Sequence, residues 1–158
     1  MPYEITPTVE GEKVEYKNPS PKFFDAVGGE EGMRELMYSF YDIIYTSDIH
    51  NFFPQDKDEF DEIKEKNSKF FIQICGGPKV YNKGSDDLDL DEFMIRIHED
   101  FSVPEKARVE WLGCMREALK DYDMDEDIKE DFWQYCENFS KMTVNTFDDK
   151  KAFNPYHT

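Results

Sequence analysis

One apolar stripe near the start of the chain most constrains the fold. Six apolar side chains recur along it at steps of 3, 1, 3, 1 and 3 residues: Met33, Leu36, Met37, Phe40, Tyr41 and Ile44. This spacing places all six on one face of an α-helix. Similar stripes predict three more helices, from Asp58 to Cys75, from Val103-Pro104-Glu105 onward, and from Asp125 to about Phe147. Because no strand pattern, repeat or heptad is persuasive, the sequence predicts an all-α fold of roughly five substantial helices.

The ends of the chain differ from its middle. Residues 1–20 carry three prolines and no helical periodicity, which predicts an extension that is either flexible or lies along the surface. Pro21, after Ser20 as an N-cap, predicts the start of a short first helix. The sequence therefore divides into the extension, one domain over residues 21–148 and a tail over residues 149–158. Within the domain, residues 79–91 are expected to form a long loop.

The charge balance excludes several classes of partner. The chain has 158 residues, with 19 basic and 36 acidic side chains, and a formal net charge of −17. Such a charge repels phosphate backbones and anionic lipid, so neither nucleic acid nor a membrane surface is expected as a partner.

No apolar run approaches the ~20 residues that span a bilayer. Three cysteines without a C-x-x-C pair predict reduced thiols. We expect a cytoplasmic protein.

The aromatic content has two explanations. Aromatic side chains make up 16% of the chain, from 14 Phe, 9 Tyr and 2 Trp. A small, highly charged domain can use such rings for ordinary core packing, since each ring buries ~150–250 Å². Composition favours this first explanation. The second is a pocket for a flat, apolar cofactor.

Polar groups interrupt the apolar stripes at three places. Tyr41, Asn67 and Trp111 each place a polar atom on a face that is predicted to be buried, and each burial costs a few kcal/mol without a partner. Tyr41 and Asn67 either bond to each other or to the backbone, or all three converge on a small polar ligand in a dry pocket. Arg108 is expected to bury only its stem. His98 ends a short apolar segment. There it is either a core side chain whose ring nitrogens have hydrogen-bond partners in the protein, or an axial iron ligand.

Six motifs stand in a fixed order along the chain. They are Phe23-Phe24-Asp25-Ala26-Val27-Gly28-Gly29, Ser39-Phe40-Tyr41, Phe52-Phe53-Pro54, Phe70-Phe71 followed by Gly76-Gly77-Pro78 and Tyr81, Arg96-Ile97-His98-Glu99-Asp100-Phe101, and Trp111-Leu112-Gly113-Cys114-Met115. The interval from His98 to Trp111 is 13 residues. In this order and with these gaps, the motifs resemble the truncated haemoglobins, most closely their second group. The resemblance runs from about Phe23 to Phe147.

The resemblance implies a fold and a set of site residues. The fold would be a two-over-two helical sandwich that holds haem b by an iron bond from His98. Four side chains would face the iron-bound ligand: Tyr41, Trp111, Asn67 and Ile63. The haem would be lined by Phe40, Phe53, Phe71 and Met94, and its propionates would meet Lys66, Tyr81 and Arg96. Further haem contacts would come from Ile97, Phe101 and Met115.

The sequence departs from the resemblance in its distal residues. Many second-group members carry tyrosine at the position of Phe53, so one expected donor is absent. Asn67 is more polar than the aliphatic residue often found there, and it is expected to replace that donor.

The resemblance implies reversible binding of oxygen and other diatomic gases, including NO and CO. An alternative is haem catalysis, either dioxygenation of nitric oxide or peroxidase-like chemistry. Since the chain carries no cofactor fingerprint of a reductase, that alternative needs electrons from an external reductase. A third hypothesis is a helical interaction module that has the shape of a globin but does not bind the cofactor.

Overall fold

The structure is a computed structural model, and it describes residues 3–81, 94–95, 99, 102–120 and 122–146. Over these residues the chain forms five α-helices of seven or more residues and one short 3₁₀ turn, and it forms no β-strand. This confirms the predicted all-α class. The helices are α1 (Pro21–Val27), α2 (Gly29–Tyr45), α3 (Lys57–Ile74), α4 (Glu105–Leu119) and α5 (Glu126–Lys141), and the 3₁₀ turn is His50–Phe52.

The helices pack as two pairs, α2 with α3 and α4 with α5. In addition, α2 contacts α4, and α5 contacts α1. Stacked rings join α1 to α5, because Phe23 and Phe132 lie parallel with centroids 4.0 Å apart. These two rings therefore serve core packing, which is the explanation that the composition favours. None of the described helices is long and apolar enough to cross a membrane.

Local signals set where the helices begin. The Ser20 side chain accepts a hydrogen bond from the Lys22 N–H, which caps α1 as the sequence predicts. Asp56 caps α3 in the same way through the Glu59 N–H, so this helix begins at Lys57, one residue before the predicted start. Asp125 caps α5. These short-range bonds explain why the predicted starts lie within a residue of the observed ones.

The junction of α1 and α2 depends on two glycines. Gly28 ends α1 with a φ of 111°, a left-handed conformation that side chains disfavour. Gly32, one turn into α2, lies so close to the end of α1 that an added Cβ would meet the Val27 carbonyl oxygen at 1.9 Å. The absence of a side chain at Gly32 is what lets the two helices approach each other.

The last helix ends earlier than its sequence pattern predicts. α5 ends at Lys141, not near Phe147, and Met142 is 37% exposed. After the helix, the backbone N–H groups of Asn145 and Thr146 donate to the Val103 carbonyl, at 3.0 and 3.2 Å. The chain leaves the helix because it pairs here with the segment that precedes α4, a long-range contact that no local pattern encodes.

Candidate functional site

A cavity of about 300 Å³ lies between the two helix pairs. Protein interiors are close-packed and hold few voids larger than a water molecule. Ligand pockets begin at roughly this volume, about 300 Å³. The cavity is therefore a candidate ligand site. Its wall is mostly apolar and includes Ile49, Phe52, Phe53, Ile63, Phe70, Phe71, Met94, Val103, Ala107, Trp111 and Phe139.

Tyr41 and Asn67 share one part of the cavity wall. The Asn67 Nδ2 atom donates a hydrogen bond to the Tyr41 Oη atom, at 2.7 Å. This is the direct bond that the sequence left open as one of two alternatives. A phenol both donates and accepts, so an oxygen that accepts from Asn67 still has its own proton to donate. The two alternatives are therefore compatible, because both side chains line the cavity while they bond to each other.

Burial keeps the Tyr41 phenol neutral. Desolvation raises the pKa of Tyr41 far above its usual value, and the hydrogen bond from Asn67 opposes this only in part. Tyr41 is only 3% exposed to solvent. Because the neutral form carries the proton, Tyr41 remains a hydrogen-bond donor throughout the physiological pH range.

Trp111 and Phe40 complete this end of the site in different ways. Trp111 lies on the cavity wall. Phe40 is fully buried but is not part of the wall; its ring meets Tyr41 edge-on at 4.9 Å and Trp111 edge-on at 5.2 Å. Phe40 thus supports both polar rings from the side. Met115, predicted as a haem contact, is also fully buried and off the wall.

The segment between α2 and α3 presents two rings to the cavity. Phe52 and Phe53 both line it, although the resemblance implies a haem contact for Phe53 alone. The Phe53 ring lies edge-on to Tyr41 and to Phe60, at 6.0 Å from each. These contacts hold the segment between the two helices against both α2 and α3.

Four more predicted residues lie on the wall. Ile63 and Phe71 are on α3, and Met94 is 7% exposed. Lys66 is exposed, so it lies at the solvent edge of the cavity.

Tyr81 also lies on the cavity wall. Its backbone N–H donates to the Gln73 side chain at 3.1 Å, and burial raises the pKa of its phenol. This phenol, like that of Tyr41, is therefore neutral and able to donate a hydrogen bond.

The predicted iron ligand lies outside the described residues. His98, Arg96, Ile97 and Phe101 fall in that part of the chain. Their roles stay predictions from the resemblance. Met94, four residues before His98, is the nearest predicted contact that the structure describes on the wall.

The prediction for Arg108 is wrong, and the structure adds it to the wall. Its side chain is fully buried, and its guanidinium group is buried with it. The Nε atom donates to Ser140 Oγ at 3.0 Å, and Nη2 donates to the Glu137 carbonyl at 2.8 Å. A signal existed in the sequence, because Glu137 and Ser140 interrupt the apolar stripe of α5 at a spacing of three. Buried charges need partners, and those two residues supply them.

The chain is similar to known proteins over most of its length. The sequence model of a family described as "Bacterial-like globin" matches residues 22–145. The Group 2 truncated hemoglobin YjbI of Bacillus subtilis (strain 168) is 26% identical over 124 residues, which cover 77% of this chain and 87% of that protein.

Solved structures agree with the sequence comparisons. The phosphate-bound crystal structure of Hell's gate globin IV superimposes with a TM-score of 0.73 at 30% identity, over 90% of this chain and 89% of that one. The group II truncated hemoglobin from Bacillus anthracis gives a TM-score of 0.70 at 25% identity, over 82% of this chain and 95% of that one. The similarity thus extends over most of the chain, including the two helix pairs that enclose the cavity.

Proposed function

Because the chain belongs to the bacterial-like globin family, we propose that it binds haem b in this cavity and there binds oxygen and other diatomic gases reversibly. Its relatives are group II truncated haemoglobins, and membership of a globin family implies a haem cofactor. One observation carries the finer proposal. An apolar cavity holds a buried phenol whose oxygen accepts a hydrogen bond from a neighbouring amide.

The residues on the wall fit a haem group. Rings and aliphatic side chains form most of the surface, which suits a flat apolar macrocycle. Lys66 at the solvent edge suits a carboxylate, so we assign it and Tyr81 to the propionates, with Arg96 from the resemblance. Phe53, Phe71 and Met94 would contact the macrocycle, with Ile97 and Phe101 as further contacts from the resemblance. His98 would supply the iron bond.

The distal side chains then act through hydrogen bonds. When bound, haem iron supplies the bond to the gas, and the polarity of the pocket tunes that binding. Tyr41 donates its phenol proton toward a small polar ligand, while Asn67 holds the phenol oxygen in place. The Trp111 indole N–H would be a second donor, and Ile63, on the wall of the same cavity, would limit the space for the ligand. Each hydrogen bond contributes about 0.5–1.5 kcal/mol net.

The optical spectrum of the purified protein tests the proposal. We expect a Soret band in the ferric state, and shifts of that band in the ferrous and carbonmonoxy states. A chain that shows no Soret band after incubation with haem would contradict the proposal, and it would favour a helical interaction module instead.

Loss of the distal donors should speed the release of oxygen. Tyr41→Phe removes one donor and keeps the ring contacts, so we expect the oxygen dissociation rate to rise roughly tenfold, which corresponds to about 1.4 kcal/mol. Trp111→Phe should raise the rate in the same direction. Stopped-flow mixing of the oxygenated protein with CO measures both rates.

Tyr45→Phe is the matched control, since Tyr45 lies one turn further along α2 and packs on His50 and Phe60 rather than on the cavity wall. Its rate should equal that of the parent. If Tyr41→Phe also leaves the rate unchanged, the phenol does not face the ligand.

None of the relatives reported above is described as a dioxygenase or a peroxidase, so the catalytic alternative and its external reductase are not favoured. We propose a cytoplasmic location because Cys75, Cys114 and Cys136 are buried free thiols, as expected in a reducing compartment.

A further inference from the structure

The N-terminal segment Tyr3–Thr8, which we call the strap, packs across α4 and α5. It precedes the region that matches the globin family, residues 22–145. The Tyr3 ring lies edge-on to Trp133 at 5.7 Å, and the Glu4 carbonyl accepts the Trp133 indole N–H at 3.0 Å. Because Trp133 is fully buried, the strap satisfies a polar atom inside the core.

Two carboxylates attach the strap to both helices. The Thr6 backbone N–H donates to Glu137 of α5 at 2.8 Å, and its hydroxyl donates to the same carboxylate oxygen. Thr8 donates its N–H and its hydroxyl to Glu105 of α4, at 2.8 and 2.7 Å. The strap therefore bridges the two helices that form one side of the cavity.

Arg108 connects the strap to the cavity wall. Its Nη1 atom donates to the Thr6 carbonyl at 2.9 Å and to Glu105 at 3.2 Å. Its Nη2 atom donates to the Glu137 carbonyl and lies 3.4 Å from the Glu137 carboxylate, while Nε bonds Ser140. Every nitrogen of the guanidinium group thus has a protein acceptor. Arg108 and Ser140 also line the cavity.

These contacts make the position of Arg108 depend on the strap. A buried guanidinium group is stable only while carboxylates and carbonyls surround it. The strap supplies one of the carbonyls directly, and it holds both carboxylates through Thr6 and Thr8. When the strap moves away, Arg108 loses part of this shell, and the wall that it forms with Ser140 loses its fixed geometry.

We propose that the strap is a positioning element for the cofactor cavity, which acts through Arg108 to fix α4 against α5 and slow the loss of haem. The proposal rests on the proposed function. It concerns how firmly the site holds its cofactor, not which gas the site binds.

The first test compares two full-length variants that differ in their hydroxyl groups. T6V/T8V keeps the shape of both side chains and removes both hydroxyls, whereas T6S/T8S keeps both hydroxyls. Haem loss is measured as transfer from the loaded protein to an excess of apomyoglobin. We expect T6V/T8V to lose haem about fivefold to tenfold faster than the parent, because three hydrogen bonds to charged groups are lost, with Glu137, Glu105 and Lys141. T6S/T8S should stay within about twofold of the parent.

The second test asks whether the effect passes through Arg108. Arg108→Met keeps an apolar stem and removes the guanidinium group, and it should raise the rate of haem loss at least tenfold. Adding T6V/T8V to Arg108→Met should change that rate by less than about twofold, since coupled sites are not additive. Urea unfolding of the haem-free proteins is measured in parallel, and there both sets of substitutions should still lower the midpoint.

Three outcomes decide the question. A parent protein without a Soret band overturns the proposed function and this inference together. A parent with a Soret band whose haem loss is the same in T6V/T8V overturns only the role of the strap. Effects that multiply in the combined variant overturn the route through Arg108. If Arg108→Met does not fold, the comparison of T6V/T8V with T6S/T8S decides the inference alone.

Discussion

Replacement of Gly32 by alanine is expected to lower the free energy of unfolding by about 3 kcal/mol or more, the upper end of the cost of an overpacked site. The added Cβ would lie 1.9 Å from the carbonyl oxygen of Val27 and 2.6 Å from its carbonyl carbon. Both are backbone atoms at the end of α1, so neither can swing aside as a side chain would. The helices must separate instead, and the loss is large against a typical total stability of about 5–15 kcal/mol.

The chain carries its own matched control for this substitution. Gly113 lies inside α4, and a Cβ added there meets nothing within 4 Å. Because alanine is the better helix former, Gly113→Ala should stabilise the protein by about 0.5–1 kcal/mol. Urea unfolding of the two variants measures both effects. A Gly32→Ala protein that is as stable as Gly113→Ala would show that α1 and α2 do not approach each other as described.

The helices could be predicted because the signals that define them are local. An apolar stripe and a capping side chain lie within a few residues of each other, so the predicted helix from Asp58 to Cys75 differs by one residue at each end from the observed Lys57–Ile74. The end of α5 could not be predicted in this way. It depends on bonds to the Val103 carbonyl, which lies some forty residues earlier in the chain.

The site was predictable where a polar atom interrupts an apolar stripe. Tyr41, Asn67 and Trp111 stand out in the sequence for this reason, and the structure brings all three to one cavity. Phe40 is next to Tyr41 in the chain, but neighbouring residues of a helix point about 100° apart, so it packs beside the wall rather than on it. Adjacency in a motif does not show which of two rings faces the cavity.

The burial of Arg108 was the least predictable feature of the site. Its partners come from three separate segments: the carbonyl of Thr6, the carboxylate of Glu105 and the backbone and side chain of Glu137. An arginine on a helical face normally buries its stem and keeps its charged group in water. Only the assembled fold shows that a strap from the start of the chain closes over that group.

Replacement of His98 by glycine is expected to abolish the five-coordinate ferrous haem spectrum. The reason is the resemblance, which implies that His98 supplies the iron bond, together with the position of Met94 on the cavity wall four residues earlier. A neutral imidazole is the commonest protein ligand for a metal. Glycine leaves space where the side chain stood, so added imidazole should enter that space and restore part of the spectrum. Optical spectra of the reduced protein, recorded during an imidazole titration, measure both effects.

His50→Gly separates this role from a general effect of losing a histidine. His50 lies in the 3₁₀ turn, where its ring meets Tyr45 edge-on at 5.8 Å. Because Tyr45 is not on the cavity wall, this variant should keep the ferrous spectrum of the parent, with or without imidazole. An unchanged spectrum in the His98→Gly protein would show that another residue supplies the iron bond. In that case the cavity could still hold haem, but its orientation between the two helix pairs would have to be assigned afresh.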